Sequence, residues 1–171
     1  MRKRILISAL SLFVFISAFI MLYHKFDSKA DALEPRTIDK VITDNIDITE
    51  LKNHLKEHQV DHVLFIQDGS QDAQYVYESI LTPLANEQEE QALPEILVVE
   101  IPKESQISVT RLENMLGIKR YPAFVYVRPN KGSYKIVSTI EYDAKKPFTA
   151  DELKTWFFEN NLWSGPYGVR D

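Results

Sequence analysis

The sequence predicts an α/β domain on a mixed sheet, preceded by one apolar helix. Three observations predict it. Continuous apolar runs at 63–66, 96–99 and 123–127 are short enough for buried strands, and segments of helical period separate them. The turn formers Pro129, Asn130, Lys131 and Gly132 precede an alternating stretch from Tyr134 to Tyr142, which marks a hairpin. Ahead of all this, Ile5 to Tyr23 contains no charged residue.

The N-terminal run is interrupted only by Ser8, Ser11 and Ser17. At about 1.5 Å per residue, a helix of this length covers roughly 30 Å, the thickness of a hydrocarbon core. Arg2, Lys3 and Arg4 precede it, whereas Lys25, Asp27, Lys29 and Asp31 follow it with no net charge. That asymmetry puts the N-terminus in the cytoplasm and the rest of the chain outside. The lipid bilayer is then a partner through Ile5 to Tyr23, and the protein is a single-pass protein of the cell membrane. The alternative is a secretory signal cut near Ala30 or Ala32, where small residues have the required spacing. The apolar run is longer than a usual signal core and stops well short of those alanines, which favours the anchor. Residues 1–26 are thus an anchor or signal segment, and 27–37 a polar stalk carrying Pro35.

Composition narrows the function. A chain of 171 residues holds one domain plus a targeting element, and 44% hydrophobic with 11% aromatic content supplies a core. The net charge of −5 excludes a nucleic-acid binder, because phosphate backbones need a basic stripe. There is no cysteine, which removes disulfides, thiolate catalysis and dithiol redox chemistry together. No cofactor is expected.

The soluble elements follow in order. Ile38, Val41 and Ile42 suggest a first short strand. Asp47, with Glu50 three positions on, reads as a capping box opening a helix that carries Leu51 and Leu55 and ends near His58. Val63 to Ile66 is a strand buried on both faces. A helix is expected over 71–91, with Val76, Ile80 and Leu84 on one stripe and Pro83 kinking or dividing it. Strands at 95–101 and 123–127 flank a short helix capped by Ser108 or Thr110 and ended by Gly117. Tyr134, Ile136, Ser138, Ile140 and Tyr142 alternate with Lys135, Val137 and Thr139, one wet face against one dry. Thr149 opens a last helix with Leu153, Trp156 and Phe157 inward. The order is β-α-β-α-β-α-β-β-α, parallel where helices connect strands and antiparallel at the hairpin.

That order resembles the thioredoxin fold across residues 38–162, leaving 163–171 as a tail. Gly117-Ile118-Lys119-Arg120-Tyr121-Pro122-Ala123-Phe124 is similar to the family stretch in which a proline opens a strand beside the active site. The resemblance implies a three-layer α/β/α sandwich and a cis Tyr121–Pro122 bond. Val63 through Ala73 resembles the strand, loop and helix start that hold a C-x-x-C pair. Ser70 and Ala73 stand where the two cysteines belong, and neither a hydroxyl nor a methyl exchanges disulfides. In the family, backbone groups before the proline pair with an extended peptide. Carried over, that groove is Gly69, Ser70, Tyr121 and Pro122, with an unknown protein or peptide partner. The layout is also similar to accessory proteins of bacteriocin export, which implies an alternative role in export of, or immunity to, a secreted peptide.

Other residues carry weaker site signals. Ser70 lacks a neighbouring histidine base and reads as a helix cap, with Asp68 and Gln71 as an alternative capping box. Asp68, Ser70 and Asp72 begin like a calcium loop, but Ala73 and Ser79 fall at its glycine and glutamate positions. His54, His58 and His62 have a spacing used by zinc sites, although the helix should end between them. Glu87, Glu89 and Glu90 read as a solvated acidic face. Trp163 is expected to pack over the last helix, while Tyr167 has no assigned role. No acid–base or metal constellation supports an enzyme of another type, which ranks last among the functions.

Overall fold

The computed structural model describes residues 41–87, 93–105 and 107–165. The proposed membrane segment, the stalk and Tyr167 lie outside them, as do Glu89 and Glu90 and the side chain of Glu87. Among the described residues, no helix is long and apolar enough to cross a membrane.

Five strands form one sheet: β1 (Ile42–Asp47), β2 (His62–Gln67), β3 (Ile96–Glu100), β4 (Ala123–Asn130) and β5 (Ser133–Glu141), ordered β1-β3-β2-β4-β5. The first three run parallel, and β4 and β5 are antiparallel to their neighbours. Helix α1 (Leu51–Glu57) and α4 (Val109–Leu116) cover one face. On the other lie α2 (Gln71–Tyr75), a π-helical segment (Val76–Leu81), α3 (Thr82–Glu87) and α5 (Ala150–Glu159). The result is the three-layer sandwich.

Strand parity divides the core. Val63, Phe65, Ile96, Val98, Phe124 and Tyr126 point to the α5 side, and Leu64, Ile66, Leu97, Val99, Ala123 and Val125 to the α1 side. All these positions are buried, as expected for strands covered on both faces. Phe124 is the hub of the first layer. It stacks on Phe65 at 4.8 Å and meets Phe157 edge-on at 6.1 Å, a favoured aromatic geometry.

Several expectations are corrected. The first strand is Ile42–Asp47. Of the residues expected to form it, Ile42 opens it, Val41 precedes it in a helical turn, and Ile38 lies outside the described residues. Asp44, Asn45 and Asp47 belong to it because it is a sheet edge, where apolar alternation is not required. Asp47 does not cap α1. Its Oδ1 accepts from the Thr49 amide at 2.7 Å and the Thr49 hydroxyl at 2.6 Å, a local turn that delays the helix to Leu51. Pro83 is absorbed rather than left to break the helix. The backbone widens to a π-turn just before it, and both the amide and the hydroxyl of Thr82 donate to the Tyr77 carbonyl. The hairpin turn is tighter than expected. Pro129 and Asn130 stay in the ladder opposite Tyr134 and Ser133, and Lys131 and Gly132 alone turn the chain, with φ +50° and +79°.

The alternation of β5 is also not one continuous face. Tyr126 pairs with Ser138 and Val127 with Ile136, so Val137 is an extra residue in the ladder. Past this bulge the faces exchange. Tyr134 and Ile136 pack on the α1 side, while Ile140 and Tyr142 pack on the α5 side. Trp156 Nε1 donates to Ser138 Oγ at 2.8 Å, fixing the second half against α5. The α5 start is as expected, with Thr149 and Glu152 forming a reciprocal capping box. Trp163 is buried in the same layer, with the Lys154 ammonium over its ring at 5.2 Å.

Deleting Val137 should therefore be tolerated, unlike most deletions within a strand. Removal makes Ser138 follow Ile136 directly, opposite Tyr126 and Val127, so both halves of β5 keep their faces and unfolding should stay cooperative. Val137→Ala, at a 40% exposed position, should change stability by under about 0.5 kcal/mol. Urea titration followed by tryptophan fluorescence compares the two.

Candidate binding groove

β2 ends in the loop Asp68-Gly69-Ser70. Gly69 takes φ +68°, a conformation side chains disfavour, and its amide donates to Gln67 Oε1 at 2.6 Å. The Ser70 amide donates to Asp68 Oδ1 at 3.0 Å, and Ser70 Oγ accepts from the Ala73 amide at 3.3 Å. Ser70 is thus the cap of α2. The Asp68 carboxylate is engaged in the turn and does not form the alternative capping box.

The facing segment starts where α4 stops. Ser108 caps α4 by accepting from the Arg111 amide at 3.2 Å, and Gly117 ends it in the left-handed region at φ +69°. The chain then reaches Tyr121–Pro122, whose peptide bond is cis, as the resemblance implied. Pro122 is buried, and its carbonyl accepts from the Tyr142 amide at 2.9 Å. The β2–β4 ladder ends at Ile66 opposite Ala123, so Gly69, Ser70, Tyr121 and Pro122 leave adjacent strands at one end of the sheet.

Glu141 shapes this end, and the sequence did not single it out. Its Oε2 accepts from the amides of Lys119 at 3.1 Å and Arg120 at 3.0 Å, and Arg120 Nε lies 3.6 Å away. Arg120 also binds Asp143 through Nη1. The Lys145 amide and then Arg120 hold the Asp143 carboxyl below the ordinary carboxylate range. Immediately after this clamp, the Tyr121 amide and carbonyl make no hydrogen bond among the described residues. Tyr75, 47% exposed, faces the buried Tyr142 ring at 5.9 Å and gives the site an aromatic flank. Burial, then Asp72 and Tyr75, raise the Tyr142 hydroxyl above its usual pKa, so it stays a neutral phenol.

The element order is the one read from the sequence, with the glycine stop and the cis proline in their implied places. The fold is thioredoxin-like. No family model matches the chain, and no curated protein matches it significantly. Among solved structures, the thioredoxin of Trichomonas vaginalis aligns at 14% identity with a TM-score of 0.42, covering 71% of this chain and 97% of that one. The thioredoxin of Plasmodium falciparum aligns at 13% with a TM-score of 0.40, covering 70% and 84%.

Among the described residues there is no group of three His, Cys, Asp or Glu side chains placed to hold a metal ion. The three histidines do gather. The His54 ring lies 4.4 Å from His58 and 5.5 Å from His62, while His62 Nε2 meets the His58 carbonyl at 3.3 Å. Their rings lean on one another instead of aiming nitrogens at one point. Burial lowers the His62 pKa, the nearby His54 and His58 add to this, and the His58 carbonyl and Asp61 oppose it.

A histidine with a depressed folded pKa stabilises the fold above its unfolded value, near 6.5, and that stability is lost on acidification through the folded pKa. The melting temperature should therefore fall from pH 7.5 to 5.5. His62→Gln should flatten that dependence in thermal melts, whereas an unchanged slope would show that His62 does not set it.

Proposed function

We propose that this chain is a membrane-tethered, extracytoplasmic thioredoxin-like module that binds an extended peptide or protein segment without catalysis. The observation carrying this reading is the Tyr121 backbone just before β4, whose amide and carbonyl make no hydrogen bond among the described residues, next to amides held by Glu141. An amide and carbonyl so placed suit strand addition, in which main-chain bonds supply affinity. Gly69, Ser70 and Pro122 would line the same groove. Loss of dithiol chemistry follows from composition, since the chain contains no cysteine. The apolar run Ile5 to Tyr23 supports the tether, with secretion after cleavage near Ala30 or Ala32 as its rival. A role in export of, or immunity to, a secreted peptide such as a bacteriocin is a narrower form of the same reading.

Two measurements test it. The protein should stay with membranes after alkaline washing, with its domain open to external protease; a soluble product beginning at Asp31 or Leu33 would contradict the tether. A photo-crosslinking residue at Tyr121 should capture a discrete partner in membranes, and one at Lys131 on the distant hairpin turn should not. Equal labelling from both positions, or none from Tyr121, would contradict the groove.

A further inference from the structure

A cleft of about 380 Å³ opens on the other side of Gly69 from the groove, between the carboxyl ends of β1, β3 and β2 and the start of α2. It does not include Ser70, Tyr121 or Pro122. Ala73 lines it from α2. Phe65 and Val98 are buried beneath it, and Tyr77 forms a wall. The size falls in the range of small-ligand sites, about 300–1,000 Å³.

The rim is polar and ordered. Glu100 ends β3, and its Oε1 accepts from Asn45 Nδ2 at 2.9 Å and from Gln67 Nε2 at 3.2 Å. Gln67 is fixed in turn, because its Oε1 accepts from the Gly69 amide at 2.6 Å. Two amides thus hold the carboxylate at the mouth while its other oxygen, and the Asn45 side-chain oxygen, make no bond among the described residues. No cation of the described residues pairs with Glu100. A fixed carboxylate without a cation, over an apolar floor, selects a ligand with a positive donor on an apolar body.

We propose that this cleft binds a primary ammonium carried on a compact apolar body, with the cation on Glu100 and the apolar part against Phe65 and Val98. The ammonium has three donors and no acceptor, which matches the Glu100 carboxylate and the Asn45 oxygen. Such a group occurs in a free arylalkylamine and at a peptide N-terminus.

The test uses the full-length chain in nanodiscs, with phenethylamine as probe and empty nanodiscs as the partition control. Phenethylamine should shift the NMR resonances of Phe65 and Val98 with a Kd on the order of 1 mM, as expected for so small a ligand. Phenethyl alcohol should bind at least tenfold more weakly, and 3-phenylpropionate should not bind. Glu100→Gln keeps an acceptor for Asn45 and Gln67, and should weaken phenethylamine at least tenfold while leaving the alcohol unchanged. Phenylalanyl-glycinamide separates the sources: tighter binding than phenethylamine supports the site and assigns it to a peptide N-terminus, weaker binding supports it and assigns it to a free amine. Equal binding of amine and acid, an unchanged affinity in Glu100→Gln, or no shift at Phe65 and Val98 would overturn the proposal.

Discussion

The pairing of β2 with β4 is the constraint on which the rest of the domain depends. It sets Phe65 against Phe124, so the aromatic layer beneath α5 forms only in that register. A slip of one residue would send Phe124 to the α1 side and Ala123 and Val125 to the α5 side, reversing the strand's whole burial pattern. The same register places Ile66 opposite Ala123 and so brings the Gly69–Ser70 loop beside Tyr121–Pro122. Core packing and site geometry are therefore one requirement. Residues separated by about fifty positions in the chain become neighbours because two strands cannot exchange faces.

The end of the sheet is organised by side chains that accept hydrogen bonds from backbone amides. Glu141 fixes two amides of the loop before Pro122, and Ser70 satisfies an amide of α2. In both arrangements the side-chain oxygen accepts from backbone amides. The result is a ledge on which the Tyr121 amide and carbonyl make no hydrogen bond among the described residues, flanked by the Tyr75 and Tyr142 rings. Rigidity matters for such a ledge, because a loop that had to order itself on binding would lose affinity to conformational entropy. The cleft by Glu100 shares only Gly69 with this ledge, so occupancy of one site leaves the other's lining residues available.

The buried strands were legible because they lie in the sheet interior, where both faces must be apolar and the runs are continuous. The caps at Ser108 and Thr149 and the stop at Gly117 were legible because each rests on local chemistry. Edge features were not. β1 carries Asp44 and Asn45, and nothing in a two-residue alternation marks Val137 as a bulge. Asp47 shows a further limit: its spacing to Glu50 fits a capping box, yet Thr49 provides a nearer donor and the turn closes first. Of the groove, Ser70 and Pro122 were found through motif position. Glu141 was invisible because its partners Lys119 and Arg120 lie more than twenty residues away, a contact that only the β4–β5 hairpin creates.

Native-state hydrogen exchange at Lys119, Arg120 and Tyr121 tests the central claim most directly, because it needs no knowledge of the partner. The Lys119 and Arg120 amides should be protected by Glu141, and the Tyr121 amide should exchange close to its unstructured rate. Glu141→Ala should release the first two roughly tenfold, the scale of a charge-assisted hydrogen bond of about 1.5 kcal/mol. A Tyr121 amide as slow as its two neighbours would mean that this edge is already paired within the chain, and the binding ledge would not exist.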